Sequence, residues 1–519
     1  FSWSELRDWA QRLKTALVTV DGVQKVTLYG EQTPVVNVYV SLAALANFSI
    51  RPETIVSTIG QQNSIVNSGE KQAGKLRIQI LEDGTYKTLD DLADQLLIAS
   101  SGKQYRLGDI AQYRNLMLPE VKSYVANSPK KVYILNMGDM TFDLYWNSNK
   151  YNLGDYVNTL KDSAIPALIY HVPGNHDNDE YAKDDYTAEQ PYKDNLGPTY
   201  YSFNIGKAHF IMLDNTVYLN AGADASTRTP GDHSYNSAFT EMELEWLKAD
   251  LATVRDKDAP LVIGTHCQVF YYNSSLDINP SMAYGHSTIL DQLLTEFTDV
   301  HIISGHTHNN TTMKVRNGLM EHNTGGSCAT WWWTGYYSNG HICKDGAPGG
   351  MGVYEFAGTD LKWYYKGYGE PRDFQLRTYD MNNVKTFFAN NSVIRNMIRY
   401  YPDRNDYVNV GNNVVYINVW GWDPEWKVSV KENGVELNPT RVYMKDPLHT
   451  YAYDATRVYK NSNNTYTEVL TSSNNYHLFA ANASSATSTL VIEVTDRFGN
   501  KYTETMSRPK EFAAQIENL

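Results

Sequence analysis

Five apolar runs, each stopped by a polar loop, constrain this chain more than any other feature. They are "KKVYILNMGD", "PALIYHVPGNHD", "AHFIMLDN", "APLVIGTHCQ" and "DVHIISGHTH". Continuous apolar runs of about four to six residues mark strands buried on both faces. Helical patterns such as "TEMELEWLKADLATV" lie between some of them. Alternating strands and helices predict an α/β domain, in which the loops at the carboxyl ends of the strands converge on one edge. The order therefore predicts that Asp139, Asn175, His266, His306 and His308 meet in space.

Carboxylate, amide oxygen and imidazole form a donor set suited to Mn, Fe or Zn. A glycine precedes Asp139, Asn175 and His306, and glycine lets a backbone turn sharply out of a strand. Taken singly, "GD" is an ordinary turn and one strand-end His is an ordinary side chain. Taken together they form an ordered set. Asp139, Asn175, His266 and His306 are separated by 36, 91 and 40 residues, room for a helix or more between strands.

These motifs resemble the later motifs of calcineurin-like metallophosphoesterases, over about residues 113–375. The resemblance implies a metallophosphoesterase-type α/β sandwich holding two divalent cations. Asp139 would bridge both. Asn175, His266 and His306 would complete the shell of one, and His308 would belong to the other. His176 would face the phosphate and protonate the leaving oxygen, with Asp177 orienting its ring and holding its charged form. The implied reaction is hydrolysis of a small phosphoester. Two cations neutralise the phosphate and acidify a water into the hydroxide that attacks in line.

The family's first motif, usually Asp-x-His at the end of the first strand, is the defect. Its one upstream candidate lies in "RLGDIAQYRNLML". Asp109 precedes Asp139 by 30 residues, but Ala111 stands where the His is expected. Another resemblance accounts for the stretch better. "DGVQKVTLYGEQ", "SIRPETIVSTIGQQN", "VNSGE" and "YRLGDIAQ" resemble one periplasmic porter subdomain of RND-type efflux transporters, over residues 1–112. That segment reads as a small α+β unit. A helix with Ser4 as N-cap carries Leu6, Trp9, Leu13 and Leu17. A second helix opens near Pro52, and strands include "GVQKVTLYG", "PVVNVYVS", "GKLRIQILE" and "QYRLGDIAQ". All 13 His and all 13 Met lie beyond residue 112. The two blocks thus read as separate histories joined at a seam, with "YRNLMLPEVKSYVAN" as the helix that follows a lost first strand. One cation then keeps four protein ligands. The other keeps Asp139 and His308, with Asp109 as a weak replacement, and activity is reduced.

From about residue 376 to 519 short alternating strands ("NNVVYINVWGW", "WKVSVKENGVEL", "TLVIEVTDRFGNKYTETM") predict a small C-terminal β-sandwich domain. It resembles the accessory domain of some bacterial calcineurin-like proteins. Between the blocks, Trp331, Trp332 and Trp333 read either as an aromatic wall against a substrate ring or as domain packing. Cys267, Cys328 and Cys343 allow one disulfide at most, Cys328 with Cys343, or free buried thiols. A net charge of -13 argues against a nucleic-acid partner. No apolar run reaches the roughly 18 residues of a membrane span. The expected location is periplasmic or secreted. Two rival readings stay open: a transport-associated binding protein acting through residues 1–112, and a phosphoesterase fold that holds one metal without turnover.

Overall fold

Alternation along single strands explains how the centre of this protein is built. In the computed structural model, Ala208–Met212, Leu261–Gly264, Val300–Ser304 and Leu319–Asn323 lie side by side as parallel strands, each buried at every residue. Successive residues of a strand face opposite sides. Phe210, Met212, Val262 and Ile303 enter one apolar cluster. Their neighbours Ile211, Leu213, Ile263 and Ile302 enter another, with Leu247 and Leu251 of the helix Glu241–Thr253 and Leu290 of the helix His286–Leu293. Antiparallel strands Tyr201–Ile205 and Thr311–Arg316 close the two edges of this six-stranded sheet.

The first of those clusters also holds Leu135, Met137, Tyr354 and Phe356. These belong to, or directly follow, a second layer: the parallel pair Tyr133–Asn136 and Leu168–His171, and the hairpin Gly350–Ala357 with Asp360–Gly367. Two layers packed through a common core, with helices outside, make the expected α/β sandwich. The helix Leu153–Ser163 connects the parallel pair. Asn152 and Asp155 close its first turn reciprocally as a capping box.

Two expectations need correction here. The parallel pair is not buried on both faces: Tyr133–Asn136 is half-buried throughout and Leu168 is 59% exposed. Its outer layer is aromatic instead, with Tyr170 stacked on Phe203 at 3.8 Å. "QYRLGDIAQ" is not one strand. The strand stops at Arg106, and a helix runs without a break from Leu107 to Asn127. Ile110, Tyr113, Met117, Val121 and Tyr124 recur every three or four residues, a helical period that overrides the strand reading. Asp109 therefore stands in the first turn of a helix.

The structure describes residues 3–20, 22–23, 25–27, 52–62, 65–73, 76–83, 96–98, 104–143, 146, 151–327, 334, 341–404, 406–460, 466–467 and 472–514. The chain divides into two compact units, residues 1–41 and 42–519. The first contains the helix Trp3–Val18, which begins ahead of Ser4 and so makes Ser4 a helical residue and not its cap. In the second, the helix Pro52–Gln62 starts on its proline as expected, and Leu76–Asp83 pairs with Ile65–Ala73. The expected strand "PVVNVYVS" and residues 24 and 28–30 of "GVQKVTLYG" lie outside the described residues, and the described part of the latter, 22–23 and 25–27, is turn and irregular chain, not strand. Among the described residues, no helix is long and apolar enough to cross a membrane.

Beyond Leu376 two four-stranded antiparallel sheets face each other across Val415, Ile417, Trp426, Val430, Leu490, Ile492 and Val494. This is the expected sandwich. The helices Met381–Asn390 and Ser392–Tyr400 were not expected, and they cover one side through Met381, Val384, Phe388, Ile394 and Met397. Asp345, 2% exposed, ties this domain to the centre. Its carboxylate accepts hydrogen bonds from Asn310 N–H (2.7 Å) and Ala347 N–H (3.1 Å) and lies 3.0 Å from His477 Nε2. Its carbonyl oxygen accepts from Asn418 Nδ2 (2.6 Å) and Asn475 Nδ2 (2.7 Å). Deleting the buried carboxylate leaves the Asn310 and Ala347 N–H groups and His477 desolvated and without that partner, whereas the carbonyl bonds to Asn418 and Asn475 remain. Asp345→Ala should lower unfolding free energy by roughly 2–4 kcal/mol in chemical denaturation. A change below about 0.5 kcal/mol, the level of an ordinary surface substitution, would remove Asp345 from this role.

Candidate metal centre and catalytic site

The strand ends bring three separated side chains to one nitrogen of a fourth. His266 Nε2 lies 3.0 Å from Asn175 Oδ1, 3.1 Å from His306 Nδ1 and 3.3 Å from Asp139 Oδ2. Donor atoms arranged around a first-row cation at about 2.0–2.2 Å sit at such mutual distances. The other ring nitrogens point away to fixed partners. His266 Nδ1 is 2.6 Å from the Met137 carbonyl oxygen, and His306 Nε2 is 3.1 Å from Tyr235 Oη. Partners of this kind fix the ring orientation and tautomer of a metal-binding His. His308 lines the same cavity as Asp139, His176 and His306, a space of about 840 Å³.

The backbone at these points is under constraint. Asp139, His306 and His308 themselves adopt φ of 54°, 64° and 59°, a region that non-glycine residues occupy at a cost. The sharp turn expected of the preceding glycines is thus taken in part by the ligands. Gly138 does have φ of 91°, whereas Gly174 is needed for space. A methyl group on Gly174 would collide with the backbone nitrogen and Oδ1 of Asp139.

Burial and neighbouring charge set the protonation states. Burial pushes the Asp139 carboxyl upward, but the His266 ring against it pulls it far below the usual carboxylate range. Burial opposes charge on His266, and Asp139 outweighs it and raises His266. Burial lowers His306 to about 4 and His308 to about 3. Both imidazoles are therefore neutral at pH 7, the form in which a ring nitrogen binds a cation.

His176 is held by a different carboxylate from the one expected. Its Nδ1 is 3.0 Å from Asp143 Oδ1, and its ring packs 4.5 Å from that of Phe142. Burial lowers its pKa, but the Asp143 hydrogen bond and the charge of Asp139 raise it above the ordinary His value. Asp177 does not orient this ring. Its two oxygens accept from the backbone of Gly174, Met140 and Thr141 and from the Thr141 hydroxyl, so it braces the two loops that carry Asp139 and Asn175. Asp143 also holds His233, whose Nδ1 is 2.6 Å from Asp143 Oδ2, and accepts from Tyr218 Oη at 3.3 Å.

Residues 106–310 match the calcineurin-like phosphoesterase model, and 321–502 match the model of its C-terminal region. Two family models of calcineurin-like phosphoesterases, one for the main region and one for the C-terminal region, thus match the chain between residues 106 and 502. That family hydrolyses phosphoesters and generally binds divalent metals. Residues 2–117 match the AcrB/AcrD/AcrF family, so the two matches overlap at the start of the helix Leu107–Asn127. Multidrug resistance protein MdtC of Pectobacterium atrosepticum is 26% identical over 136 residues, covering 26% of this chain. The chain spans 13% of the length of that relative. Two solved structures are similar. A dimetal phosphatase from Danio rerio has 17% identity and a TM-score of 0.30, over 41% of this chain and 77% of that one. A 5'-nucleotidase from Candida albicans SC5314 has 13% identity and a TM-score of 0.24, over 41% of each chain.

Several residues of the phosphoesterase site escaped the sequence reading. Asp143 sits four residues past Asp139, at a helical position just beyond the loop that carries Asp139. His233 follows no apolar strand. Cys267 offers its sulfur within 4.8 Å of ligand atoms of His266 and His306, but burial pushes its thiol far up, which keeps it protonated. Asn215 locks the Cys267 backbone in place with two hydrogen bonds of 2.7 and 2.9 Å. Cys267 and Cys343 are buried free thiols. Trp331, Trp332, Trp333 and Cys328 lie outside the described residues, as does the side chain of Asp109.

The low pKa of His308 has a stability consequence with a definite sign. Between its ordinary value of 6.5 and about 3, an unfolded chain binds a proton there that the native chain refuses. Metal-free protein should therefore lose stability relative to His308→Asn as pH falls from 6.5 toward 4. The expected loss is on the order of 1 kcal/mol per pH unit, by urea melts. A difference that stays flat over that window would contradict the neutral assignment.

Proposed function

We propose that this chain is a metal-dependent phosphoester hydrolase with one well-formed and one depleted cation site. The observation that carries the reading is the meeting of Asp139, Asn175 and His306 at His266 Nε2 within 3.0 to 3.3 Å. These four residues hold one cation, of Mn, Fe or Zn. Asp139 and His308 remain for the second, with Asp109 as its weak supplement. Bound cations would neutralise the phosphate and acidify the attacking water.

The chain's own residues do the rest. Asp139 and the neutral imidazoles of His306 and His308 turn their donors into the cavity. His176 lines that cavity and carries a proton on a ring whose pKa is raised, so it serves as acid to the departing oxygen. Asp143 holds the ring and stabilises its charged form. Gly174 keeps the Asp139 and Asn175 loops in contact. The substrate is a small phosphoester, since a cavity of about 840 Å³ is on the scale of a small ligand and the overall charge of -13 disfavours nucleic acid.

Residues 113–375 form the hydrolase domain and 376–519 its sandwich partner in this reading. Residues 1–112 are a porter-like segment fused ahead of them, which makes the chain a chimera of bacterial, periplasmic type. Hydrolysis of an aryl phosphate panel with added manganese tests the proposal. Turnover should depend on the metal, and His176→Ala should lower kcat by roughly 10²–10⁴-fold. Metal-independent turnover, or an unchanged kcat in that variant, would refute the assigned roles.

A further inference from the structure

The cavity at the candidate centre is lined by two domains. Its volume of about 840 Å³ lies within the range that takes a whole small ligand. A phosphate group alone would leave most of that space unused. Besides Asp139, His176, His306 and His308, its walls include Tyr271, Tyr272, Tyr443, Ser473, Asn474 and Tyr476. The last four come from the C-terminal sandwich.

These tyrosines form a continuous ladder across the domain boundary. The Tyr272 and Tyr476 rings are 5.5 Å apart, and those of Tyr476 and Tyr443 are 4.9 Å apart. Tyr476 Oη donates to the Tyr272 carbonyl oxygen at 3.0 Å and lies 3.1 Å from Tyr443 Oη. Tyr476 also packs against the core cluster of the hydrolase domain. The ladder is therefore rigid, and it presents π faces beside hydroxyl and amide groups from Ser473 and Asn474.

We propose that this two-domain wall binds the leaving group of the substrate, and that the leaving group is a polar ring, a sugar or a nucleoside. The inference rests on the hydrolase reading above. Aromatic faces stack on rings, and the amide and hydroxyl groups meet ring heteroatoms and hydroxyls. An acyl chain would have to desolvate Ser473, Asn474, Gln268 and Lys344 of the same lining without pairing them. The C-terminal domain then sets specificity, which explains why its loop is fastened to the centre through Asp345.

The test is calorimetric binding to the full-length, manganese-loaded chain. The probes are adenosine 5'-monophosphate, glucose 6-phosphate and glycerol 1-phosphate. At least one ring-bearing phosphate should bind roughly tenfold or more tightly than the linear one, and which of them does so separates nucleoside from sugar. Tyr443→Leu should reduce that preference about tenfold. Asn474→Ala should reduce it as well, and it decides the matter if the tyrosine variant fails to fold. Equal affinity for ring and linear phosphates, or a preference untouched in folded variants, overturns the proposal. All titrations are made in the His176→Ala background, which suppresses turnover, and catalysis is measured separately on the unsubstituted chain, so the two readings fail separately. Catalysis without ring preference sinks only the wall. Ring preference without catalysis sinks only the hydrolase.

Discussion

The structure depends on the crowding of a carboxylate, an amide and a second imidazole around His266 Nε2. Polar groups taken from water are costly unless they are paired, and charged groups more so. Here Asp139 sits with its carboxylate against His266, and His306 and His308 are held neutral by burial. No set of direct hydrogen bonds satisfies four donor atoms that all face one point. A cation does, because it accepts every lone pair at once and offsets the carboxylate charge. The fold accepts unfavourable backbone conformations at Asp139, His306 and His308 to keep this geometry. It also requires a residue without a side chain at position 174, where the two loops touch.

From that centre the constraints run outward. Asp177 and Asn215 hold the ligand-bearing loops through backbone hydrogen bonds, whereas Asp143 holds His176. The loop after His308 is fixed next, as Asn310 donates to Asp345, which in turn is gripped by Asn418, Asn475 and His477 of the sandwich. The C-terminal domain thereby becomes part of the architecture of the site and not an appendage.

Much of this was legible in the sequence, for a physical reason. Parallel strands buried on both faces spell continuous apolar runs, which marked the strand ends before His266 and His306; the runs before Asp139 and Asn175 were apolar enough to mark their ends too, although those two strands are only partly buried. What escaped was carried by elements without periodicity. Asp143 reaches His176 from a short helical stretch and is itself held by His233 from a loop, and Tyr443 and Tyr476 reach the cavity from a domain whose strands look merely structural. Asp177 was misread because adjacency in "GNHD" does not reveal that its oxygens turn toward backbone amides. At the seam, Leu107–Asn127 looked half strand and half helix, because "YRLGDIAQ" begins as a strand and its helical period becomes visible only across the join.

Anomalous diffraction from zinc-soaked crystals of the full chain tests the central claim most directly. The account predicts a metal peak at about 2.1 Å from His266 Nε2, within bonding reach of Asp139, Asn175 and His306. Crystals in which those four side chains keep their positions around a peak-free centre, with zinc bound elsewhere or nowhere, would contradict it.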